Sequence, residues 1–456
     1  MLDDTIAAIA TPLGQGGLAI IRVSGENAVT VGDAVFRPPN GADDHLAKAN
    51  SHTIHYGHIV HGSQRIDEVM VSVMRAPATF TREDIVEINC HGGMQSTRAV
   101  LDAALNAGAR LALPGEFTKR AFLHGRIDLA QAEAVADLIH ARTDLALNAA
   151  NEQLAGKLSQ RINQLRDDTM HVLAHVEAHI DFPDEDIEPD TMDGLLKRLE
   201  STKAFIDQLL ATANEGQLVR KGIRVAIVGR PNAGKSSLLN QLLGHDRAIV
   251  SDIAGTTRDT ISEEAQIRGI PVVFVDTAGL QETEDVVEQE GVRRSRASLG
   301  QADLVLHVLD ASEPPDPDAE ARLADLADRN CIVVLNKSDL PSQLGQANMH
   351  GCQSVPVSCL NRDGIEALKD AIRSSVWDGE ITTEMLEVMV NSRHQDALNR
   401  GKASLQAALG QLREGAVLDL VAVDLRIATN AIGEIVGKTT TEDLLDSIFS
   451  TFCIGK

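Results

Sequence analysis

The chain has 456 residues and a formal net charge of −24, with one tryptophan and one tyrosine. This length predicts two to four domains with ample hydrophobic core. The negative charge argues against general affinity for nucleic acids, because phosphate neutralisation drives such binding, and so few large rings leave almost no platform on which bases can stack.

Cysteine usage and hydropathy indicate the compartment. The five cysteines form an odd set without a CxxC pair, so neither a disulfide framework nor a zinc motif is indicated. The N-terminus lacks the pattern of a signal peptide, and no apolar run approaches the length of a membrane span. We therefore expect a protein of the reducing cytoplasm with no membrane partner.

Residues 1–120 mix short apolar runs with turns that contain glycine and proline, which predicts an α+β domain. The run at 68–74 alternates well enough for a half-buried strand. Arg22 is expected after one strand and Glu87 within another. From the residues alone, these two charges indicate a surface ion pair worth about 0–1 kcal/mol.

Residues 121–220 predict the first part of a helical-bundle domain. Apolar residues recur every three or four positions between residues 154 and 180, with charges between them, which is typical of an amphipathic helix. Pro183 interrupts this pattern because proline cannot donate within a helix. A further helix is expected from Leu195 to about Gly216.

Residues 229–236 read G-R-P-N-A-G-K-S and follow the apolar run 225–228. A buried strand, this loop and a following helix are the setting of a phosphate loop, in which main-chain N–H groups close on phosphate oxygens. Lys235 is expected to reach the β- and γ-phosphates, and the Ser236 hydroxyl to bind Mg²⁺. The loop thus predicts binding of a nucleoside triphosphate by Asn232, Ala233, Gly234, Lys235, Ser236 and Ser237.

Three later segments select the base and complete the site. Asp276 is placed to hold Mg²⁺ through water, and Gly279 to offer its N–H to the γ-phosphate. The Asp339 carboxylate accepts two hydrogen bonds from guanine, whereas adenine offers neither donor, so rejection of adenine should be of order ~10⁴. The segment at 355–360 resembles the loop that closes over the base in GTPases. The predicted residues are Asp276, Thr277, Ala278, Gly279, Asn336, Lys337, Ser338, Asp339, Ser358, Cys359 and Leu360.

The hydrolytic machinery differs from that of Ras-type enzymes, which carry a water-orienting glutamine directly after the D-x-x-G motif. Leu280 occupies that position and cannot form a hydrogen bond. Either Asn232 and a switch-like loop form an oxygen pocket for a hard monovalent cation, or Asn232 merely caps its own loop, and the residues alone leave the two interpretations even. The loop comprises Ser251, Asp252, Ile253, Ala254, Gly255, Thr256, Thr257, Arg258 and Asp259.

Residues 221–376 alternate strands with helices, which predicts an α/β P-loop (Ras-like) GTPase domain inserted into the helical domain. Residues 377–456 predict the second part of that helical domain. The helical period returns at Leu398, Leu405, Leu409 and Leu412, and then at Leu420, Val423 and Ile427.

The assembled motifs resemble those of the MnmE family, also called TrmE, of tRNA-modification GTPases. The matching segments are GRPNAGKSS, DIAGTTRD, DTAGL, NKSD, ATPLGQGGLAIIRVSG, FTREDIVEINCHGG, PGEFTKRAFLHGRIDLAQAEAVADLI, AHIDFPDED and the terminal FCIGK. The resemblance therefore runs from about Thr5 to Lys456. The GTPase motifs alone would fit several translation-factor-related GTPases, whereas the FCIGK tail and the PGEFT block are far more specific.

The resemblance implies a homodimer whose GTPase domains associate face to face, with K⁺ completing the active site. It implies that Glu288 orients the attacking water and that Lys235 takes part in catalysis. The implied ligands are Asn232, Ser251, Ile253 and Thr256 for K⁺, and Ser236 and Thr257 for Mg²⁺.

The resemblance also implies an FAD-dependent partner, MnmG, in a heterotetramer that modifies C5 of wobble uridine in certain tRNAs. The product would carry a carboxymethylaminomethyl-type group, with 5-formyl-tetrahydrofolate or another tetrahydrofolate as one-carbon donor. The implied folate-binding positions in and beside the N-terminal dimerisation domain are Arg22, Glu87, Arg126 and Lys456. Arg126 stands where the family pattern has a lysine, which keeps the charge but alters the geometry.

Cys453 has two interpretations. It is either a nucleophile activated by a cation such as Lys456 or a small apolar residue that packs with Phe449 and Phe452 to anchor the tail.

Two further alternatives concern tRNA and the overall role. If tRNA binds directly, Lys119, Arg120 and Arg126, or Arg220, Lys221 and Arg224, are possible basic patches, although each also fits ordinary surface charge. The alternative function is a regulatory GTPase, such as a ribosome-assembly factor, whose tail and N-terminal domain only bind partners.

Overall fold

The chain forms two compact units. The computed structural model describes residues 4–41, 44–62, 64–181, 189–244, 263–275, 300, 302–314, 323, 326, 329–344, 349–377 and 383–456. The first unit comprises Met1–Ala136, Leu154–Leu199 and Ala403–Lys456, and the second comprises Asp137–Gln153 and Glu200–Lys402.

Seven strands of the first unit form one sheet. Their bounds are β1 (Ile6–Ile9), β2 (Leu18–Ser24), β3 (Phe36–Arg37), β4 (Thr53–His61), β5 (Gln64–Met74), β6 (Ile85–His91) and β7 (Arg110–Leu111). The strand order is β3-β4-β5-β6-β2-β1-β7, and only the β1–β7 pair is parallel. Val69, Val71 and Val73 are buried while Met70 between them is exposed, so the predicted half-buried strand is confirmed.

Two helices, α1 (Ala28–Val35) and α2 (Met94–Asn106), cover the buried face of this sheet. Together with the sheet they confirm the predicted α+β fold of the N-terminal part. The structure differs from the expectation for Arg22, which lies inside β2 and not after it. Its neighbour Val23 is buried in the sheet core, so the strand continues past the charge.

The middle of the chain is helical, as predicted. The helices are α3 (Glu116–Leu123), α4 (Leu129–His140), α5 (Asp144–Leu154), α6 (Lys157–Asp181), α7 (Pro189–Ala211) and α8 (Ala213–Lys221). The expected helix end near Gly216 is wrong, because α7 already ends at Ala211 and Gly216 lies inside α8. A Cβ on Gly216 would lie 2.8 Å from the main-chain oxygen of Val390, so this glycine allows a close approach of the backbone and does not end a helix.

The second unit contains a six-stranded sheet of the α/β type. Its strands are β8 (Ile223–Gly229), β9 (Glu263–Ile267), β10 (Ile270–Val275), β11 (Leu304–Asp310), β12 (Cys331–Asn336) and β13 (Gln353–Val357). The order is β13-β12-β11-β8-β10-β9, and all neighbours are parallel except β10 and β9. Helices α9 (Lys235–Leu243) and α10 (Ile365–Val376) pack on it, which confirms the predicted P-loop architecture.

Four helices complete the described chain: α11 (Thr383–Glu387), α12 (Ser392–Glu414), α13 (Leu418–Val436) and α14 (Glu442–Phe449). Leu398 and Leu405 on α12 are fully buried, as their spacing predicts. The helical period at Leu420, Val423 and Ile427 is confirmed by α13, although these three side chains are about half exposed. The buried face of α13 consists of Val421, Leu425, Ala428, Ile432 and Ile435.

Within the described ranges, no helix combines the length and the apolar character that crossing a membrane requires.

Candidate functional site

The phosphate loop lies between β8 and α9, as its sequence predicts. It requires two left-handed residues, Asn232 at φ 63° and Gly234 at φ 91°. A Cβ on Gly234 would lie 2.0 Å from the Nδ2 atom of Asn336. Glycine is therefore the residue that fits here, because the loop passes directly under the amide of a second predicted segment.

Lys235 begins α9 and folds back over the loop. Its Nζ donates to the main-chain oxygen of Arg230 at 2.7 Å. Ser236 and Ser237 are exposed in the first turn of the helix, where main-chain N–H groups and the helix dipole favour anions. The predicted phosphate-binding residues are thus brought together.

Asn336 joins the phosphate loop to the predicted base-binding segments. Its Nδ2 donates to the main-chain oxygen of Ala233 at 2.8 Å, and its Oδ1 accepts from the N–H of Cys359 at 3.4 Å. The side chain of Gln241 on α9 donates to the main-chain oxygen of Cys359 at 3.1 Å. Asn336 is itself buried, so this amide holds the three segments at a fixed separation.

Asp339 is oriented by Ser358. The Ser358 hydroxyl donates to Oδ1 of Asp339 at 2.6 Å and accepts from the N–H of Asn361 at 3.2 Å. Ser358 is fully buried while Asp339 is exposed. The carboxylate that is expected to recognise guanine therefore faces solvent from a fixed support, and Ser338 joins the same strand end through its N–H to the oxygen of Val357 at 3.1 Å.

Lys337 and Leu360 complete this end of the sheet. Lys337 is left-handed at φ 61°, and its Nζ lies 2.5 Å from Oδ2 of Asp310. Burial would raise the pKa of Asp310, but hydrogen bonds from Lys337 and Ser312 hold that pKa below its ordinary value. Leu360 is 82% exposed, a large apolar side chain within the segment that is predicted to bind the base.

Sequence reasoning missed Asp310 and Gln241. Asp310 follows the buried run of β11, and a carboxylate at the end of a buried parallel strand was the signal that would have found it. Gln241 gives no such signal, because its contact with residue 359 depends on how α9 lies against the sheet.

The remaining predicted residues of the nucleotide site lie outside the described residues. They are Ser251, Asp252, Ile253, Ala254, Gly255, Thr256, Thr257, Asp276, Thr277, Ala278, Gly279 and Glu288. Their roles, and that of Leu280, stay predictions.

A second cluster lies on the sheet of the first unit. Arg22 and Glu87 are direct cross-strand neighbours, and Nε of Arg22 lies 2.8 Å from Oε1 of Glu87. Both side chains are about one-fifth exposed, so the ion pair expected from the residues is present and half-buried. The guanidinium of Arg22 also lies 5.7 Å from the ring centroid of Phe117.

The C-terminal tail lies against this pair. Arg22 donates to the main-chain oxygen of Gly455 at 3.3 Å, and the N–H of Phe117 donates to the main-chain oxygen of Lys456 at 3.2 Å. Gly455 is left-handed at φ 95°, and a Cβ there would lie 2.3 Å from the oxygen of Ile9. The tail is thus seated by a close backbone approach that only glycine permits.

Arg126 lies beside the same aromatic cluster. Its guanidinium is 5.1 Å from the ring centroid of Phe80, which packs with Phe117, Ile6 and Ala8. The structure therefore brings two cations, one carboxylate, aromatic rings and the tail into one region. This donor set suits a flat heterocycle with carboxylate groups.

Cys453 is exposed, which argues against its packing as a small apolar anchor. Phe449 and Phe452 are buried and provide the anchoring. The main-chain oxygen of Cys453 accepts from the N–H groups of Gly115 and Lys456 at 3.4 and 3.3 Å, so the backbone at this position is held while the thiol faces outward.

Arg120 does not form a basic surface patch with Lys119 and Arg126. Its side chain is 1% exposed and lies 2.6–3.1 Å from carboxylate oxygens of Asp4, Glu83 and Glu116. This cation is neutralised inside the first unit and is not available to bind phosphates.

Family models match nearly the whole chain. A model described as "MnmE helical domain" matches residues 129–453, and one described as "GTP-binding protein TrmE N-terminus" matches residues 5–126.

Full-length relatives agree with these models. The protein named "tRNA modification GTPase MnmE" of Geobacillus kaustophilus is 49% identical over 99% of both chains. Proteins of the same name from Bacillus subtilis and Clostridioides difficile are 46% and 47% identical, over 99% and 100% of this chain and 100% of each relative.

Proposed function

The chain belongs to the MnmE family of tRNA-modification GTPases, and on that premise we propose that it couples K⁺-dependent GTP hydrolysis to modification of C5 of wobble uridine. The group installed would be of the carboxymethylaminomethyl type, with a tetrahydrofolate as one-carbon donor. The work would be shared with an FAD-dependent MnmG partner.

One observation carries the nucleotide part of the proposal. The Asn336 amide ties the phosphate loop to the segment that follows β13. A single bound molecule with phosphates at one end and guanine at the other fits two segments held at a fixed separation. Asp339, oriented by Ser358, would then read the base.

The residues of the phosphate loop fit Mg²⁺ and K⁺. Ser236 offers an exposed hydroxyl oxygen in the first turn of α9, a hard ligand of the kind that Mg²⁺ prefers. Asn232 is exposed, and its amide oxygen suits K⁺ at the position of an arginine finger. When bound, these cations would offset the charge that develops on the transferring phosphoryl group. In this proposal Ser251, Ile253 and Thr256 complete the K⁺ site, Thr257 completes the Mg²⁺ site, and Glu288 orients the water.

The cluster of Arg22, Glu87 and the tail supports the folate part of the proposal. Glu87 would accept from the amino edge of the pterin, and Arg22 and Arg126 would hold carbonyl or carboxylate oxygens of the ligand. Phe117 and Phe80 offer ring faces beside these two cations. Lys456 is tied to this region through its main-chain oxygen, and the outward-facing thiol of Cys453 is accessible to a bound ligand.

An exposed apolar sheet face supports the homodimer. Tyr56 pairs with Met70 across β4 and β5, and Ile54 lies two residues along the same strand. These three side chains are 51–68% exposed. Strand register places them on the same face as Arg22 and Glu87, so a second copy that covers this face would also lie over the proposed folate site.

The charge of the chain supports a partner that carries most of the tRNA contacts. A net charge of −24 opposes phosphate binding, and the buried Arg120 removes one candidate patch. We therefore assign tRNA binding largely to MnmG in the proposed heterotetramer.

Titration calorimetry tests the proposal on the full chain. GTP is expected to bind with Mg²⁺ while ATP gives no measurable heat. Formyl-tetrahydrofolate is expected to bind the wild type and to bind about 100-fold more weakly to Glu87→Ala. Glu68→Ala is the matched control, because Glu68 lies on the neighbouring strand and on the same face of the sheet. If GTP binds but formyl-tetrahydrofolate gives no heat of binding, the regulatory GTPase is favoured instead. The same conclusion follows if Glu87→Ala leaves the affinity for formyl-tetrahydrofolate unchanged.

A further inference from the structure

Two cysteines meet at the start of neighbouring parallel strands in the second unit. Strand register pairs Ile332 with Gln353, and Cys331 and Cys352 each lie one residue before that pair. Both belong to a small apolar cluster with Val305. The sequence separates them widely and without a CxxC spacing, so only the sheet brings them together.

We propose that Cys331 and Cys352 are a redox-active dithiol, a modification site that closes to an intramolecular disulfide when the protein meets a hydroperoxide. Neighbouring strands are ~4.8 Å apart, and disulfides span Cα separations of roughly 4.4–6.8 Å. Both side chains pack in the same apolar cluster, so closure requires side-chain rotation and little movement of the backbone.

The two cysteines have different surroundings, and this assigns their roles. Cys331 is 7% exposed, whereas Cys352 is half-buried. Burial, with a smaller contribution from Cys352, raises the pKa of Cys331 to about 12. Cys352 is therefore the thiol that meets the oxidant, and Cys331 is the resolving thiol beside it.

The chemistry balances in two steps. The sulfur of Cys352 attacks one oxygen of hydrogen peroxide, the O–O bond breaks, and water leaves with the thiol proton, which gives a sulfenic acid. The sulfur of Cys331 then attacks the sulfur of Cys352, the S–O bond breaks, and a second water leaves with the proton of Cys331. Two thiols lose two electrons and two protons, and one peroxide is reduced to two waters.

The position of the two cysteines, far from the nucleotide-facing ends of their strands, determines what the disulfide is expected to change. The pair lies at the start of β12 and β13, whereas Asn336 and Ser358 lie at the end of the same strands. The disulfide closes a loop of about 20 residues, which restricts the unfolded chain. We expect a higher melting temperature for the second unit and a change of GDP affinity of less than about twofold.

Peptide mapping of the oxidised full chain tests the proposal. A Cys453→Ser background removes the exposed thiol that would form intermolecular disulfides. Treatment with hydrogen peroxide is expected to give a non-reduced peptide pair joined through Cys331 and Cys352, two hydrogens lighter than the separate peptides and restored by a reductant. The buried Cys90 serves as the internal reference and is expected to stay reduced.

Trapping of the intermediate gives a second readout. Cys331→Ser in the same background is expected to accumulate a sulfenic acid at Cys352 that dimedone traps, whereas the parent is trapped at least tenfold less. Conversion of Cys352 in the parent to a sulfinic acid without a cross-link, or a thiol that stays reduced, would overturn the proposal. If Cys331→Ser does not fold, the peptide map of the oxidised Cys453→Ser protein alone tests the proposal.

Discussion

The side-chain amide of Asn336 donates to the main-chain oxygen of Ala233 at 2.8 Å, across 103 residues of sequence. Because the amide is buried and also accepts from Cys359, its loss leaves two main-chain groups without their partner. We expect Asn336→Ala to weaken GDP and GTP binding about 10- to 100-fold, measured by calorimetry. Asn330→Ala is the matched control, since that amide lies at the other end of β12 and its hydrogen bond to the main-chain oxygen of Ser375 is exposed. Equal affinity in both variants would mean that the two binding segments are held together by other contacts.

The Asp339 carboxylate is expected to select the base. Asp339→Asn keeps one acceptor for the N1–H of the purine and gains a donor, which suits xanthine, whose 2-position carries an oxygen. The variant should therefore lose GTP affinity by at least about 100-fold and gain affinity for xanthosine triphosphate. Competition against a fluorescent nucleotide measures both.

Ser358→Ala tests the support of that carboxylate. Removal of the hydroxyl frees Asp339 from its 2.6 Å hydrogen bond, so guanine affinity should fall by about fivefold to tenfold while preference for guanine over xanthine is kept. A switch of preference in this variant would contradict the role of Ser358 as a support.

The sequence predicted where the described phosphate loop, Asn336 and Asp339 would lie in the fold, at the ends of buried strands, and the reason is physical. Parallel strands are buried on both faces, so each gives a short apolar run that ends in a polar residue at one edge of the sheet. The phosphate loop, Asn336 and Asp339 all follow such runs. The contacts between these segments were not readable, because they depend on which strands are neighbours in the sheet.

Other features of the structure could not be predicted from the sequence, for different reasons. Arg120 reads as a surface cation, because its partner Asp4 is distant in the sequence. The buried face of α13 was not identified because that helix carries apolar residues on both sides, so periodicity could not choose between Val423 and Leu425. Cys331 and Cys352 gave no signal at all, because only parallel register places them together.

Exchange of K⁺ for Na⁺ tests the proposed cation site. If K⁺ acts where an arginine finger would, GTP turnover should fall about 10- to 100-fold in Na⁺. Asn232→Ala should lower the rate in K⁺ to the Na⁺ level and erase the difference between the two salts. Phosphate release under saturating GTP measures both. Turnover that is the same in the two salts for the wild type would exclude the cation mechanism and leave Asn232 as a cap of its loop.

The Arg120 network makes the stability of the first unit depend on pH. Hydrogen bonds from Arg110 and then Arg120 lower the pKa of Asp4, and for Glu116 the bonds from Arg110, Leu113 and Arg120 outweigh the burial that would raise its pKa. A carboxyl group whose pKa falls on folding stabilises the fold above its unfolded pKa and loses this contribution as the pH drops through the folded value. The wild type should therefore lose stability between about pH 5 and pH 3.

Arg120→Leu should weaken that dependence at a large cost. Glu83 is 9% exposed and loses its ion pair with Arg120, whereas Glu116 keeps its bonds from Arg110, so the variant should be destabilised by about 3–5 kcal/mol at pH 7, mainly through the buried charge of Glu83. The deficit should shrink towards pH 4 as the carboxyl of Glu116 takes up a proton. Lys119→Leu on the same helix is the control, because its partner Asp446 is 68% exposed and the pair is worth about 0–1 kcal/mol. Scanning calorimetry at both pH values measures the difference, and a deficit that does not change with pH would contradict the assignment.

Gly455→Ala tests whether the tail completes the proposed folate site. The new Cβ would lie 2.3 Å from the oxygen of Ile9 at a φ of 95°, so the tail must leave its position and release the hydrogen bond from Arg22. Folate binding should fall at least tenfold in calorimetry, and carboxypeptidase should remove the tail faster, while GTP binding is unchanged.

Gly410→Ala on α12 is the matched control, since a Cβ there meets nothing within 4 Å and alanine favours a helix by about 0.5–1 kcal/mol. A tail that is freed in Gly455→Ala without any loss of folate affinity would place the ligand on Arg22 and Glu87 alone.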